Sequence, residues 1–350
     1  MKKIMFVAAM ACAVMVSCES KKEVADPTGK FEIVDKTIPW DGAGISANIT
    51  SEYDWSISVA NPEYLSVEPA SGKGNSTVTL TIAKNTKNQA IPVNGNVTFT
   101  NEDKTLDIPF SFEIPVPSLE FGGTTYGVTY MKDGKYWMTQ NLRYIPEGMT
   151  VYEPSKDNAD AKIWYPATIS LNETGKYVAT ASTDAAVIAA QGLLYAPEYI
   201  LGAAYSEEEF ADVDQKNAIC PEGWHIPTAQ EWIDLVGACS DKDRTNEKAP
   251  YYSADLSGAP LEALNADGLN FLPYPYVNNN SYLCTVQNTD TTRIACGMNS
   301  MLYFLSSTGH KAKSNVQGYG AMITNNKTKT SVNVAYVNTN TGIAVRYVKD

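Results

Sequence analysis

Histidine is nearly absent: among 350 residues only His225 and His310 occur. Two histidines so far apart leave no pair at metal-ligand spacing, so neither a histidine-based zinc site nor a catalytic triad is expected. His225 is instead expected as a core or hydrogen-bonded residue. Basic residues are in deficit as well. Lysine and arginine number 27 against 39 acidic residues, giving a net charge of −12 and a pI near 4.8. That balance argues against nucleic acid and anionic membrane surfaces as electrostatic partners, and the acidity reads as solubility in an extracellular setting. The catalytic signatures Gly-x-Ser-x-Gly and His-Glu-x-x-His are missing, as is a phosphate-binding glycine loop. The expectation is a protein that is not an enzyme and carries no resident cofactor.

What is present begins at the N-terminus. Lys2 and Lys3 precede an apolar run over residues 4–16, too short for a span of roughly 20 residues. The run ends in Val16-Ser17-Cys18. This resembles a bacterial lipoprotein signal, which implies removal of residues 1–17, with Cys12 among them, and lipidation at Cys18. The implied location is the outer membrane or cell surface of a Gram-negative bacterium, with the membrane contacted through the lipid alone. Residues 18–30, "CESKKEVADPTGK", are polar and aperiodic, a tether.

With 44% hydrophobic residues, the remaining chain can bury a sizeable core and has length for two. Over residues 31–117, "STVTLTIA" and "GNVTFTN" alternate apolar and polar positions, the period of half-buried strands. Gly-, Pro-, Asn- and Asp-rich pieces ("NPE", "PASGKGN", "NEDK") separate them as turns. About seven short strands in such a length predict an all-β immunoglobulin-like sandwich. The stretch "DWSISVANPEYLSVEPASGKGNSTVTLTIAKN" with "NGNVTFTN" resembles BACON-type domains, with Trp55 and Leu65 in the core and a spacer role implied. Pro109, Pro115 and Pro117 stiffen the exit.

Residues 118–350 form the second unit. It opens on a predicted hairpin, "VTYM" and "YWMT" about the turn "KDGK". Its centre is "CPEGWHIPTAQEW", residues 220–232, where a cysteine, a histidine and two tryptophans crowd together like a catalytic set. The spacing gives a structural reading instead. Thr228 and Glu231 form a capping box, and Trp232, Leu235, Val236 and Cys239 share one helical face. Trp224 is expected in the core, after the turn residues Pro221 and Gly223. Together with "YWMTQNLRY", "LYFLSST" and the terminal "GIAVRYVKD", this block resembles the Fibrobacter succinogenes major paralogous domain. The Pro-Thr-x-x-Glu-Trp helix start also resembles formylglycine-generating-enzyme and C-type-lectin-like folds, implying α+β architecture with few helices and long irregular loops. The chain departs from the family at Tyr347, where a cysteine is usual, so Cys220 has no partner there.

Four cysteines beyond the signal (Cys220, Cys239, Cys284 and Cys296) allow three connectivities in an oxidising envelope. Cys284–Cys296 closes most easily and contributes about 3 kcal/mol by the loop-entropy model. Cys220–Cys239 is a second pair, with Cys239 equally able to remain a buried thiol. The acidic run "SEEEFADVD" reads as a solvated face, and Asp241, Asp243 and Glu247 are calcium candidates without the glycine or register of an EF-hand. "DTT" at 290–292 fits a short O-glycosylation pattern. In "NFLPYPYVNNNSYL" (residues 270–283), Tyr274, Tyr276 and Tyr282 stand among Asn278, Asn279 and Asn280. Tyrosine faces stack on sugars and asparagine amides pair with hydroxyls, so this loop is the candidate glycan site. The expected function is adhesion or binding of a cell-surface or dietary glycan. The alternatives are a structural or pilus-associated subunit that binds another envelope protein, and an enzyme of formylglycine-generating type.

Overall fold

The computed structural model describes residues 24–158, 160–174, 177–208, 210–240, 252–256, 265–266, 268–271, 275–278, 281–283, 301–312, 315–325, 330–337 and 341–350. The chain divides into two compact units, Met1–Pro117 and Ser118–Asp350. Cys18, the calcium candidates Asp241, Asp243 and Glu247, and the 290–292 triplet lie outside the described residues.

Among its described residues the first unit contains eight strands: β1 (Gly29–Ile33), β2 (Gly44–Ser51), β3 (Asp54–Val59), β4 (Leu65–Glu68), β5 (Ser71–Lys73), β6 (Ser76–Ile82), β7 (Ile91–Asn101) and β8 (Lys104–Ile114). They form two four-stranded antiparallel sheets, ordered β1-β2-β6-β4 and β5-β3-β7-β8. Alternation decides which residues go inside. Ile45, Ala47 and Ile49 from β2 and Val78, Leu80 and Ile82 from β6 meet Trp55, Val97, Phe99, Phe110 and Phe112 from the other sheet in one shared core. Gly95 occupies the inward row of β7, where a Cβ would lie 2.2 Å from the Phe110 ring. The stretch expected as a turn, "PASGKGN", contains strand β5, which pairs with β3 through Trp55↔Gly72. A Cβ at Gly72 would meet the Trp55 ring at 2.5 Å, so glycine there is the fit of a strand against an indole.

In the second unit, β9 (Ser118–Phe121), β10 (Thr124–Tyr130) and β11 (Tyr136–Met138) form consecutive antiparallel pairs. The "KDGK" hairpin forms as expected, with Gly134 at φ +82° and its N–H donating to Met131 O. Where the sequence reads as irregular, short elements follow: β12 (Ile163–Trp164), β13 (Ala167–Leu171), β14 (Tyr177–Ala181), α1 (Ala185–Gln191), β15 (Leu194–Tyr195), α2 (Pro197–Leu201) and β16 (Ala211–Asp212). Helix α1 starts at Asp184, whose carboxylate accepts from Ala186 N, and α2 carries proline in its first turn and ends at left-handed Gly202.

Then come β17 (Trp224–His225), α3 (Ala229–Ser240), β18 (Tyr252–Leu256), β19 (Tyr276–Asn278), β20 (Ser281–Leu283), β21 (Met301–Ala312), β22 (Asn315–Asn325), β23 (Thr330–Val337), β24 (Thr341–Gly342) and β25 (Val348–Lys349). One sheet runs β17-β25-β11-β10-β9 and another β16-β21-β22-β23-β18. The terminal strands therefore part company: β23 joins one sheet and β25 the other.

Helix α3 is the hub of this unit's core. Trp232 is almost fully buried, 4.8 Å from the Trp137 ring and 5.4 Å from that of Phe304, and its indole N–H donates to Leu305 O at 3.1 Å. Leu235, Val236 and Cys239 complete the buried face at the predicted spacing. Arg346, 1% exposed, gathers three segments. Its guanidinium donates to Asn141 Oδ1 at 2.7 Å, to Met138 O at 3.2 Å, to Leu269 O, and to Asn270 O at 3.3 Å. The Phe271 and Phe304 rings cover it at 4.5 and 5.2 Å.

Arg346→Met keeps the stem but orphans these acceptors, each costing about 1–3 kcal/mol when buried. A loss of more than about 3 kcal/mol is expected in chemical denaturation of the second unit. A loss below about 1 kcal/mol would show that the guanidinium is dispensable.

Candidate functional site

The block that looked catalytic resolves into a helix start. Glu231 N–H donates to Thr228 Oγ1 at 3.0 Å while Thr228 N–H donates to a Glu231 carboxylate oxygen at 2.8 Å, the reciprocal capping box. Ala229 N–H donates to Thr308 Oγ1 at 2.8 Å, and the Thr308 hydroxyl donates to Asp212 at 2.5 Å. Thr308 lies within an irregularity in β21 between Leu305 and Gly309, where Ser306, Ser307 and Thr308 are all buried. "LYFLSST" thus supplies the polar groups that a buried helix N-terminus requires. Asp212 is exposed, as expected of the acidic run, and accepts the Thr308 hydroxyl's hydrogen bond. Trp224 is buried beneath Lys349, whose ammonium lies 5.7 Å from the indole.

Beside the cap lies a line of charge. Lys135 Nζ pairs with Glu231 Oε1 at 2.5 Å, and His225 Nε2 contacts both Glu231 oxygens at 2.9 Å. His225 Nδ1 meets Asp350 Oδ1 at 2.5 Å. Four separate stretches of chain supply these groups. Burial alone would raise the Glu231 pKa, but hydrogen bonds from His225, Lys135 and Thr228 N–H prevail and hold it at about 2. Asp133, half-buried in the turn that also carries Lys135, is pushed upward by desolvation although it accepts from Trp137 Nε1 at 2.8 Å. Both imidazole nitrogens and both Glu231 oxygens are engaged by other members of the line, so it reads as a brace. Among the described residues, no group of three or more His, Cys, Asp or Glu is placed to hold a metal ion.

The structure does not form a Cys220–Cys239 disulfide. Cys239 is directed into the Trp232 core by its place on the helix face, while Cys220 Sγ donates to Trp224 O at 2.9 Å. Burial, with the Asp350 charge adding to it, pushes the Cys220 thiol well up, which disfavours the reactive thiolate. Tyr347, buried, donates its hydroxyl to Ile219 O, the residue next to Cys220. Cys284 and Cys296 lie outside the described residues.

The tyrosine loop becomes the hairpin β19–β20, with Val277↔Tyr282 and Asn278↔Ser281 opposite each other. Because strand faces alternate, Tyr276 and Tyr282 are on opposite faces. Val277 and Tyr282 pack with Ala161, Trp164 and Leu194, and the Tyr282 hydroxyl donates to Tyr165 O at 2.8 Å. Tyr282 is thereby removed from the stacking platform expected of it: its ring packs inward and its hydroxyl is engaged. Tyr276 is half-buried with its ring 4.4 Å from Tyr303, a partner that sequence reasoning missed because β21 lies 25 or more residues away. Asn278 holds the same-face register position as Tyr276. Tyr274, Asn279 and Asn280 lie outside the described residues.

The picture is of a β-rich protein with few helices, whose second unit is organised around one capped, tryptophan-bearing helix. Residues 133–349, more than half of the chain, match the family model of the Fibrobacter succinogenes major domain, and the chain belongs to that family. No curated protein matches it. Among solved structures, WR4, a C. elegans MSP family member, is 18% identical over 21% of this chain and 85% of its own, with a TM-score of 0.17. A Bacteroides ovatus GH5 xyloglucanase in complex with a XXXG heptasaccharide is 14% identical over 60% of this chain and 43% of its own, with a TM-score of 0.23. Superpositions that loose carry no argument about fold or activity.

The brace yields a pH prediction. A carboxylate held at about 2 rather than the ordinary 4.5 contributes stability present above about 4.5 and lost as pH falls through about 2. The contribution is on the order of 3 kcal/mol. Glu231→Gln keeps a capping side chain and removes the titration, so acid unfolding followed by tryptophan fluorescence should become markedly less steep between pH 4.5 and 2. An unchanged acid limb would place the acid sensitivity in other groups.

Proposed function

We propose that this is a lipid-anchored protein of the Gram-negative cell envelope that binds neutral glycans without enzymatic activity. In this reading the first unit is an immunoglobulin-like, BACON-type spacer, and the second is a C-type-lectin-like domain. The supporting observation is the β19–β20 hairpin. One face is bound to the core through Val277 and Tyr282, while Tyr276 on the other pairs with Tyr303. The paired, half-exposed rings of Tyr276 on β19 and Tyr303 on β21 offer the apolar face that a pyranose stacks on. The non-enzymatic reading is supported by how the one catalytic-looking cluster is used: its carboxylates and imidazole neutralise one another at a helix start.

A platform of this size implies affinities of roughly millimolar to micromolar, about 4–8 kcal/mol, which multivalent display on a membrane raises by avidity. On a glycan array the protein should show selective binding, and Tyr276→Ala should reduce it at least about tenfold, or 1.4 kcal/mol. A folded variant with unchanged binding places the site elsewhere, and absence of glycan binding with capture of an envelope protein favours the structural-subunit reading. Anchoring is tested separately. Cys18→Ser should abolish palmitate labelling and release the protein from the membrane fraction, whereas retained labelling sinks the anchor.

A further inference from the structure

We propose that His225 is a proton-operated latch: its imidazolium ties Asp350 to the start of α3, and loss of its proton releases Asp350 while leaving the helix start intact. The argument is one of donors and acceptors. Both ring nitrogens face carboxylates, Nε2 at 2.9 Å from each Glu231 oxygen and Nδ1 at 2.5 Å from Asp350 Oδ1. Only the imidazolium carries two N–H groups, so only the charged form satisfies both sides.

When one proton leaves, the remaining N–H goes to the stronger acceptor. Glu231 is that acceptor, because its side chain is 10% exposed against 60% for Asp350, and charge–dipole attraction is stronger where water is excluded. Glu231 also retains Lys135 Nζ and the Thr228 N–H. Asp350 has no such reserve: among the described residues its carboxylate makes no other hydrogen bond or ion pair. The Nδ1 lone pair then faces an anion at contact distance, and the two acceptors repel. The Asp350 N–H donates to Gly223 O at 3.0 Å, so departure of the side chain loosens the end of the β25–β17 pairing.

The other charges around the histidine leave this order unchanged. Lys135 and Asp133 come from the β10–β11 turn, with Asp133 tied to Trp137. Lys349 lies over Trp224, and Cys220 is held protonated. Burial alone would lower the His225 pKa, but Glu231 and then Asp350 outweigh it and raise the value above the ordinary 6.5. The sign follows. The latch stabilises fully below about 6.5 and is lost as pH rises through the raised pKa.

The test is a nitrogen-15 NMR titration of the intact chain, with His225→Gln used to separate the His225 resonances from those of His310. His225 should titrate above pH 6.5 and, once neutral, carry its proton on Nε2. Across that transition, exchange of the Asp350 amide, normalised for base catalysis, should rise about tenfold or more while Thr228 and Ala229 amides stay protected. Asp350→Asn should lower the His225 midpoint and abolish the rise without altering α3. A midpoint at or below 6.5, a neutral Nδ1–H tautomer, or unchanged Asp350 exchange would each overturn the latch.

Discussion

A buried guanidinium whose N–H groups must find acceptors away from solvent is the constraint around which the second unit is arranged. Arg346 cannot shed its proton, and its five N–H groups need acceptors that no solvent supplies at 1% exposure. The acceptors come from residues 138–141 and from the 269–270 turn, so a single side chain draws two distant stretches onto its own. That turn is shaped for the purpose. Asn270 sits at φ +56°, and Asn265 both accepts from Phe271 N–H and donates to Phe271 O, leaving the Leu269 and Asn270 carbonyls free for the guanidinium. Phe271 and Phe304 exclude water from the arrangement, and those two rings lie against Trp232 as well.

The same logic governs the start of α3. A helix whose first residue is fully buried must satisfy its leading N–H groups within the protein, and two polar devices meet them: the Thr228–Glu231 reciprocal cap and the Thr308 hydroxyl, which in turn donates to Asp212. Glu231 serves twice, since its carboxylate also ends the Lys135 and His225 contacts. Capping, charge and core packing are therefore coupled at one residue, and a histidine beside a glutamate here is part of the support of a helix. Tyr347 extends this economy of polar groups. It joins the terminal block to the Cys220 segment by a hydrogen bond to Ile219 O.

Much of this was legible in advance because it is local. The capping box, the Trp232–Leu235–Val236–Cys239 face, the "KDGK" hairpin and the alternating strands of the first unit follow from spacing alone. Some of the elements that went unread were short, although β21 and β22, at 12 and 11 residues, were not. Helices α1 and α2 carry readable ends, Asp184 before one and Pro197 and Gly202 about the other, but five to seven residues generate too little periodicity to stand out. Strand β5 was hidden inside turn-forming residues because its glycine answers to the Trp55 ring and not to a bend.

The division between sequence and tertiary structure is clearest in the tyrosine hairpin. Composition placed ring faces and amides in one segment, but pairing register alone sends Tyr282 inward to Tyr165 and brings Tyr276 against Tyr303 on a strand far along the chain. Likewise, sequence identified His225 as a hydrogen-bonded residue without naming either carboxylate. By itself the sequence determined what depends on neighbours within a helical turn or a strand pair: caps, buried faces, hairpin turns and the scarcity of metal ligands. Only the tertiary structure decided which oxygens surround Arg346, which acids flank His225 and which rings are covered, because those contacts join residues up to about 200 positions apart, and their geometry is fixed by how sheets and loops close on a common core.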